Sequence, residues 1–147
     1  MAKQTLKTEI KSAGKMFKIE CTARGKSFIL DEPEELGGSN GGMNPGEALL
    51  NALGGCKYIV AKMYCEKLKI NLQEIKLEME GEIDTDGLMG KNKNAKIGFS
   101  KITTNYYIKA NNSKEEIEKF IEYIEDHCPM KDTIYNRPEM NAKINIL

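Results

Sequence analysis

The chain has 147 residues, the size of one ordinary domain with a sizeable core. Its 22 basic and 22 acidic residues cancel. No net charge therefore draws it to nucleic acid or to an anionic membrane, and neither is expected as a partner. The first fifteen residues, "MAKQTLKTEIKSAGK", hold no apolar run, so neither a signal peptide nor a spanning segment is expected.

The first third, 1–43, reads as strands and loop. "GKMFKIEC" puts Phe17, Ile19 and Cys21 on one side, and "KSFILD" is a short β-like run after "ARG". From 31 to 43, "DEPEELGGSNGGM" is acidic and then glycine-rich, which is loop chemistry. Its glycines lack the strand-to-helix spacing of a nucleotide-binding fingerprint.

A long helix is predicted over about 44–68. Asn44 suits the N-cap and Pro45 the first helical position, while Glu47 completes a capping box. Leu49, Leu53, Cys56, Val60 and Met63 recur at helical spacing as one apolar stripe. Two glycines, Gly54 and Gly55, interrupt it just before Cys56, each costing about 1 kcal/mol against alanine. They let a backbone or a substrate approach the sulfur, or they serve tight packing between helices.

"EIKLEMEGEI" alternates as a half-buried strand, followed by a polar loop over 84–95. The stretch 96–110 is strand again, and its apolar phase slips between Phe99 and Ile102, which predicts a bulge. "SKEEIEKFIEYIEDHCP" is a second amphipathic helix with a Ser113–Glu116 capping box, Cys128 closing its inner face and Pro129 ending it. "EMNAKINI" alternates as a last strand. Strands group and helices intervene without βαβ alternation. The class is α+β with antiparallel sheet, in one domain over 1–147 whose C-terminal part, 72–147, carries strands, a helix and the Cys128 segment.

Four cysteines, at 21, 56, 65 and 128, include no C-x-x-C pair, which fits a reducing cytosol better than a disulfide scaffold. With a single histidine, His127, and no paired thiols, no metal site or other cofactor is expected. Burial alone reads Cys56 and Cys128 as small core residues. The glycines before Cys56 add weight to a working thiol there, but tight packing between helices accounts for them too, and periodicity does not separate the two. A Cys–His acyl hydrolase using His127 is a further possibility, although adjacent helical residues point about 100° apart, so His127 need not face Cys56.

"LGGSNGGMNPGEALLNALGGC", together with "HCP" further on, resembles the family of osmotically inducible protein C and organic hydroperoxide resistance protein. The resemblance covers residue 16 to the end. It implies an intertwined homodimer with long central helices and a thiol peroxidase acting on organic hydroperoxides. Cys56 would then be peroxidatic and Cys128 resolving, with a lipoyl protein or small dithiol as reductant. It also implies an arginine that holds the thiolate, steadied by a glutamate at the start of the long helix. Arg24 fits as the only arginine before that helix, with Lys26 competing for the place, and Glu47 fits the second role. The family's peroxidase branch carries its glutamate directly after N-P, where this chain has Gly46. That departure leaves open a branch that kept the fold as a dimeric binder of a small apolar ligand, or as a redox-responsive protein.

The chemistry sets a requirement. Moving a thiol from about 8.5 to about 6 needs roughly 3 kcal/mol of thiolate stabilisation. Cys56 lies some twelve residues into the helix, beyond reach of its N-terminal field. Glu47 stands nine residues away, roughly 13.5 Å along the axis and on the opposite face, so it can act only through another side chain or across subunits. Met43, Leu49, Leu53 and Met63 are the expected lining of an apolar substrate pocket.

Overall fold

A computed structural model describes residues 2–147. Two regions, 1–50 and 51–147, each have their own internal packing.

In the N-terminal region β1 (Glu9–Ser12), β2 (Ile19–Ala23) and β3 (Lys26–Leu30) form an antiparallel meander in that order. Cys21 is buried in the middle strand, opposite Ile10 and Phe28. Phe17 precedes the strand and is exposed, contrary to the predicted alternation. Arg24 and Gly25 make the β2–β3 turn with φ of 52° and 75°. Two successive left-handed residues give the turn whose twist matches paired strands.

The glycine-rich loop is wound on one carboxylate. Asp31, 2 % exposed, accepts hydrogen bonds from the amides of Glu32 (2.8 Å), Ser39 (3.2 Å) and Gly41 (3.0 Å) and from the Ser39 hydroxyl. The Ser39 hydroxyl bond lowers the Asp31 pKa from 3.8 to about 2; burial opposes it and the three amides assist. The chain passes so close that a Cβ on Gly42 would stand 2.4 Å from the Ile29 carbonyl oxygen. Only glycine fits there.

The capping box at the start of α1 (Pro45–Tyr64) is present: the Asn44 amide donates to Glu47 Oε2 and the Glu47 amide to Asn44 Oδ1. Helical turns continue past Tyr64 until Lys69 turns left-handed at φ 56°, near the predicted end. The buried positions of α1 are Leu53, Gly54, Lys57, Val60 and Ala61. Leu49 and Met63, expected on the inner stripe, are exposed. The buried arc is rotated toward Lys57 because that lysine finds a charged partner inside.

β4 (Leu72–Ile83) and β5 (Phe99–Ala110) pair antiparallel as a two-stranded sheet. Glu82 faces Lys101 while Ile83 faces Phe99, so Ser100 is the extra residue of the predicted bulge. The loop after β4 contains a short helix, α2 (Thr85–Leu88), capped by the Asp84 carboxylate. α3 (Lys114–Asp126) carries the predicted capping box. Val60, Ala61, Cys65, Ile70, Ile75, Phe120 and Ile124 form the core of this region, with α1 and α3 on the sheet.

Two further features differ from expectation. Cys128 does not finish α3; it caps a further helix, α4 (Pro129–Tyr135), with Pro129 as the first residue. The proline that ends one helix starts the next. The tail, 137–147, forms no strand, and Met140, Ile144 and Ile146 are exposed. A strand needs a hydrogen-bonded neighbour, and none pairs with this segment in the single chain. Among the described residues no helix is long and apolar enough to cross a membrane.

Candidate functional site

Cys56 and Cys128 meet. They are far apart in sequence, one in the fourth turn of α1 and the other at the α3–α4 junction, yet their side chains are within hydrogen-bonding contact. Both are free thiols; Cys56 is half-buried and Cys128 is 2 % exposed. Two backbone amides serve the sulfurs. The Met130 N–H donates to Cys56 Sγ, and the Lys131 N–H donates to Cys128 Sγ at 3.4 Å. Burial pushes the Cys56 thiol up; the Met130 amide opposes that, and Cys128 adds to it.

Gly54 and Gly55 have different surroundings. A Cβ on Gly54 would lie 2.8 Å from Met79 Cγ, so this glycine brings α1 down onto β4 rather than serving a helix–helix crossing. A Cβ on Gly55 would meet nothing within 4 Å.

Beside the sulfurs lies a cluster that the sequence pattern hid. Lys57, 4 % exposed, follows Cys56, and its Nζ bonds Glu125 Oε1 and Thr104 Oγ1, each at 2.7 Å. Glu125 Oε1 also accepts from the Tyr106 hydroxyl at 2.6 Å, and Oε2 pairs with Lys131 Nζ at 3.1 Å. Burial pushes the Glu125 pKa up, but the bonds from Lys57, Tyr106 and Lys131 outweigh it and leave it lowered. Burial and the Glu125 carboxylate together raise the Tyr106 hydroxyl. Lys57 carries its own signal. It lies four residues after Leu53 and four before Ala61, so a lysine sits in the middle of an apolar arc.

Lys57, Glu125 and Lys131 also line a cavity of about 400 Å³ whose apolar wall includes Leu53, Phe99 and Ile102. Of the lining predicted from sequence, only Leu53 is there; Met43, Leu49 and Met63 are exposed. Lys96, the first half of β5 and the end of α4 supply the rest of the wall.

The other candidates have defined places. Arg24 sits at the β2–β3 turn and Lys26 opens β3. Glu47 closes the capping box in the first turn of α1. His127 is exposed, its ring stacked on Tyr123 at 3.7 Å and its Nδ1 2.8 Å from the Tyr123 carbonyl oxygen. That stacking and carbonyl bond give the imidazole a structural partner on its own helix. Among the described residues no group of three or more His, Cys, Asp or Glu side chains could hold a metal ion.

The sequence pattern of the OsmC-like protein family matches residues 38–143. A protein called hydroperoxide reductase from Mycoplasma pneumoniae is 24% identical over 105 residues, 71% of this chain and 71% of its own. A hydroperoxide reductase from Mycoplasma genitalium is 28% identical over 105 residues, 71% of this chain and 70% of its own. Among solved structures, an OsmC-like protein from Mycoplasma pneumoniae superposes with a TM-score of 0.75 at 20% identity, covering 92% of this chain and 89% of that one.

Proposed function

The chain belongs to the OsmC-like protein family, and from that premise we propose that it is a thiol peroxidase that reduces organic hydroperoxides. The observation that carries this reading is the contact between Cys56 and Cys128. Two free thiols brought together from distant segments are the minimum for forming and resolving a sulfenic acid. The names of the two mycoplasma relatives support the same reaction class.

In this mechanism the Cys56 thiolate attacks the distal oxygen of R–O–O–H. The O–O bond breaks, the alcohol leaves with a proton, and Cys56 becomes a sulfenic acid. The Cys128 thiol then attacks the Cys56 sulfur. The S–O bond breaks, the S–S bond forms, and the Cys128 proton leaves with the hydroxide as water. A dithiol, small or lipoyl-bound, reduces the disulfide by exchange.

Because burial raises the Cys56 thiol, the first step needs a cation to ionise it. We assign that role to Arg24, with Glu47 orienting it, in a homodimer of a reducing cytosol. The cavity lined by Lys57, Glu125 and Lys131, partly apolar, suits an organic rather than an inorganic peroxide.

The test uses cumene hydroperoxide and excess dithiol. C56S is expected to abolish peroxide consumption, while C128S leaves one turnover and a sulfenic acid that dimedone traps. Steady consumption by C56S at the parent rate would overturn the assignment. The raised Cys56 thiol and Gly46 favour a second reading, a binder of small apolar ligands with slow thiols. Stoichiometric cumene hydroperoxide separates the two: disulfide closure in seconds supports the peroxidase, closure in hours the binder.

A further inference from the structure

One carboxylate is tied to the neighbours of both sulfurs. Glu125 holds Lys57, the residue after Cys56, and Lys131, whose own amide donates to Cys128 Sγ. Met130, the residue before Lys131, donates its N–H to Cys56 Sγ. Segment 128–131 is therefore the part of the chain that touches both thiols, and the Lys131–Glu125 pair fixes its position relative to α1 through Lys57. Thr104 and Tyr106 of β5 complete the contacts of Lys57 and Glu125.

Stability alone does not account for this arrangement. A buried ion pair seldom outperforms apolar side chains of the same volume, because both charges must leave water. Lys57 sits among Leu53, Val60 and Ala61, where an apolar residue would pack without that cost. What the ionic arrangement adds is directional. A salt-bridged carboxylate with three donors has one geometry, whereas an apolar contact tolerates sliding. Two sulfurs that must come within bonding distance require that kind of registration.

We propose that Glu125 is a positioning residue for the Cys56–Cys128 pair, holding segment 128–131 on α1 through Lys57 and Lys131. It acts on the encounter of the two sulfurs more than on the attack of Cys56 on peroxide. The proposal rests on Cys56 and Cys128 being the working pair, and its test is chosen to be independent of peroxide chemistry.

The full chain is equilibrated with mixtures of oxidised and reduced dithiothreitol. Two protein thiols transfer two hydrogens to the cyclic disulfide, giving the Cys56–Cys128 disulfide and the free dithiol, and peptide mapping after alkylation identifies the bridge. E125Q, which keeps the shape and removes the charge, is expected to lower the equilibrium constant for closure by about tenfold. K131M, at a half-exposed position, should lower it by about threefold, and E125D should recover part of the E125Q loss. If E125Q fails to fold by circular dichroism, K131M and E125D decide.

A single turnover with cumene hydroperoxide adds the kinetic split: E125Q should slow disulfide closure by a larger factor than it slows sulfenic acid formation. Closure constants for E125Q and K131M within twofold of the parent would overturn the proposal. So would a parent chain that forms no such bridge with oxidised dithiothreitol. A parent that closes with dithiothreitol yet consumes no peroxide would sink the peroxidase reading and leave this one standing.

Discussion

Two carboxylates, one buried and one half-buried, hold this molecule in opposite ways. Asp31, in the N-terminal region, is satisfied by its own surroundings in sequence: its donors come from Glu32, Ser39 and Gly41. Glu125, in the C-terminal region, is satisfied by side chains from three other elements, Lys57 of α1, Tyr106 of β5 and Lys131 of α4. The first organises a loop that cannot slide, since Gly42 lies against the Ile29 carbonyl. The second joins separate elements beside the two thiols. A carboxylate bound to amides fixes local backbone, and one bound to distant cations fixes the relation between elements. The proposed chemistry lies with the second kind.

The largest expected effect breaks the second arrangement. Lys57→Met removes a cation whose side chain is 5% exposed and leaves Glu125 short of its principal partner. Breaking one side of such a pair costs about 3 kcal/mol, read from urea unfolding. Replacing both, as Lys57→Met with Glu125→Leu, should recover most of that loss, to within about 1 kcal/mol of the parent, because Lys131 is exposed enough to be hydrated. If the double variant is as unstable as the single one, the cluster is held by packing and the contrast with Asp31 fails.

The same contrast explains what the sequence could disclose. The Asn44–Glu47 and Ser113–Glu116 capping boxes, the bulge at Ser100 and the loop after Asp31 are legible because each is written in one stretch of at most about a dozen residues. The pairing of Cys56 with Cys128 came from resemblance to a family and not from periodicity. Lys57 was hidden because a lysine on an amphipathic helix is ordinarily assigned to the solvent face. Its partner Glu125 lies on another helix, and no spacing rule links them. α4 was missed because Pro129 reads as a stop signal, although proline also suits a first helical position. The tail has the alternation of a strand but lacks a neighbouring strand in the single chain, and alternation cannot supply one.

A smaller effect sharpens the Asp31 side. Its pKa falls from 3.8 in the unfolded chain to about 2 in the folded one, chiefly through the Ser39 hydroxyl. A depressed carboxylate contributes stability that is fully present above the higher value and is lost as pH falls toward the lower. Loop 37–42 should therefore loosen between about pH 4 and pH 2, with amide exchange at Ser39 and Gly41 accelerating first. Asp31→Ala should reproduce that acceleration at neutral pH, by about tenfold, and abolish its acid dependence. A loop equally protected in Asp31→Ala would mean that the glycine contacts alone hold it.

The smallest effect concerns the glycines of α1, and here the two regions trade roles. In the N-terminal region a Cβ on Gly42 would meet a carbonyl oxygen that cannot yield, whereas a Cβ on Gly54 would meet Met79, a flexible side chain. Gly54→Ala should still be destabilising, by about 1 kcal/mol: the clash is with Cγ, near the root of Met79, and overpacking outweighs the helix propensity gained. Gly55→Ala meets no atom within 4 Å, so the gain should be nearly complete, about 1 kcal/mol in urea unfolding of the single chain. Comparing the two at low and high protein concentration adds a further readout. If α1 packs against a second copy, the open space at Gly55 is where the helices approach, and Gly55→Ala should stabilise dilute protein while weakening self-association seen by sedimentation. If self-association is untouched, the face carrying Gly55 is solvent-facing in the assembly, and the glycine before Cys56 is there to admit substrate.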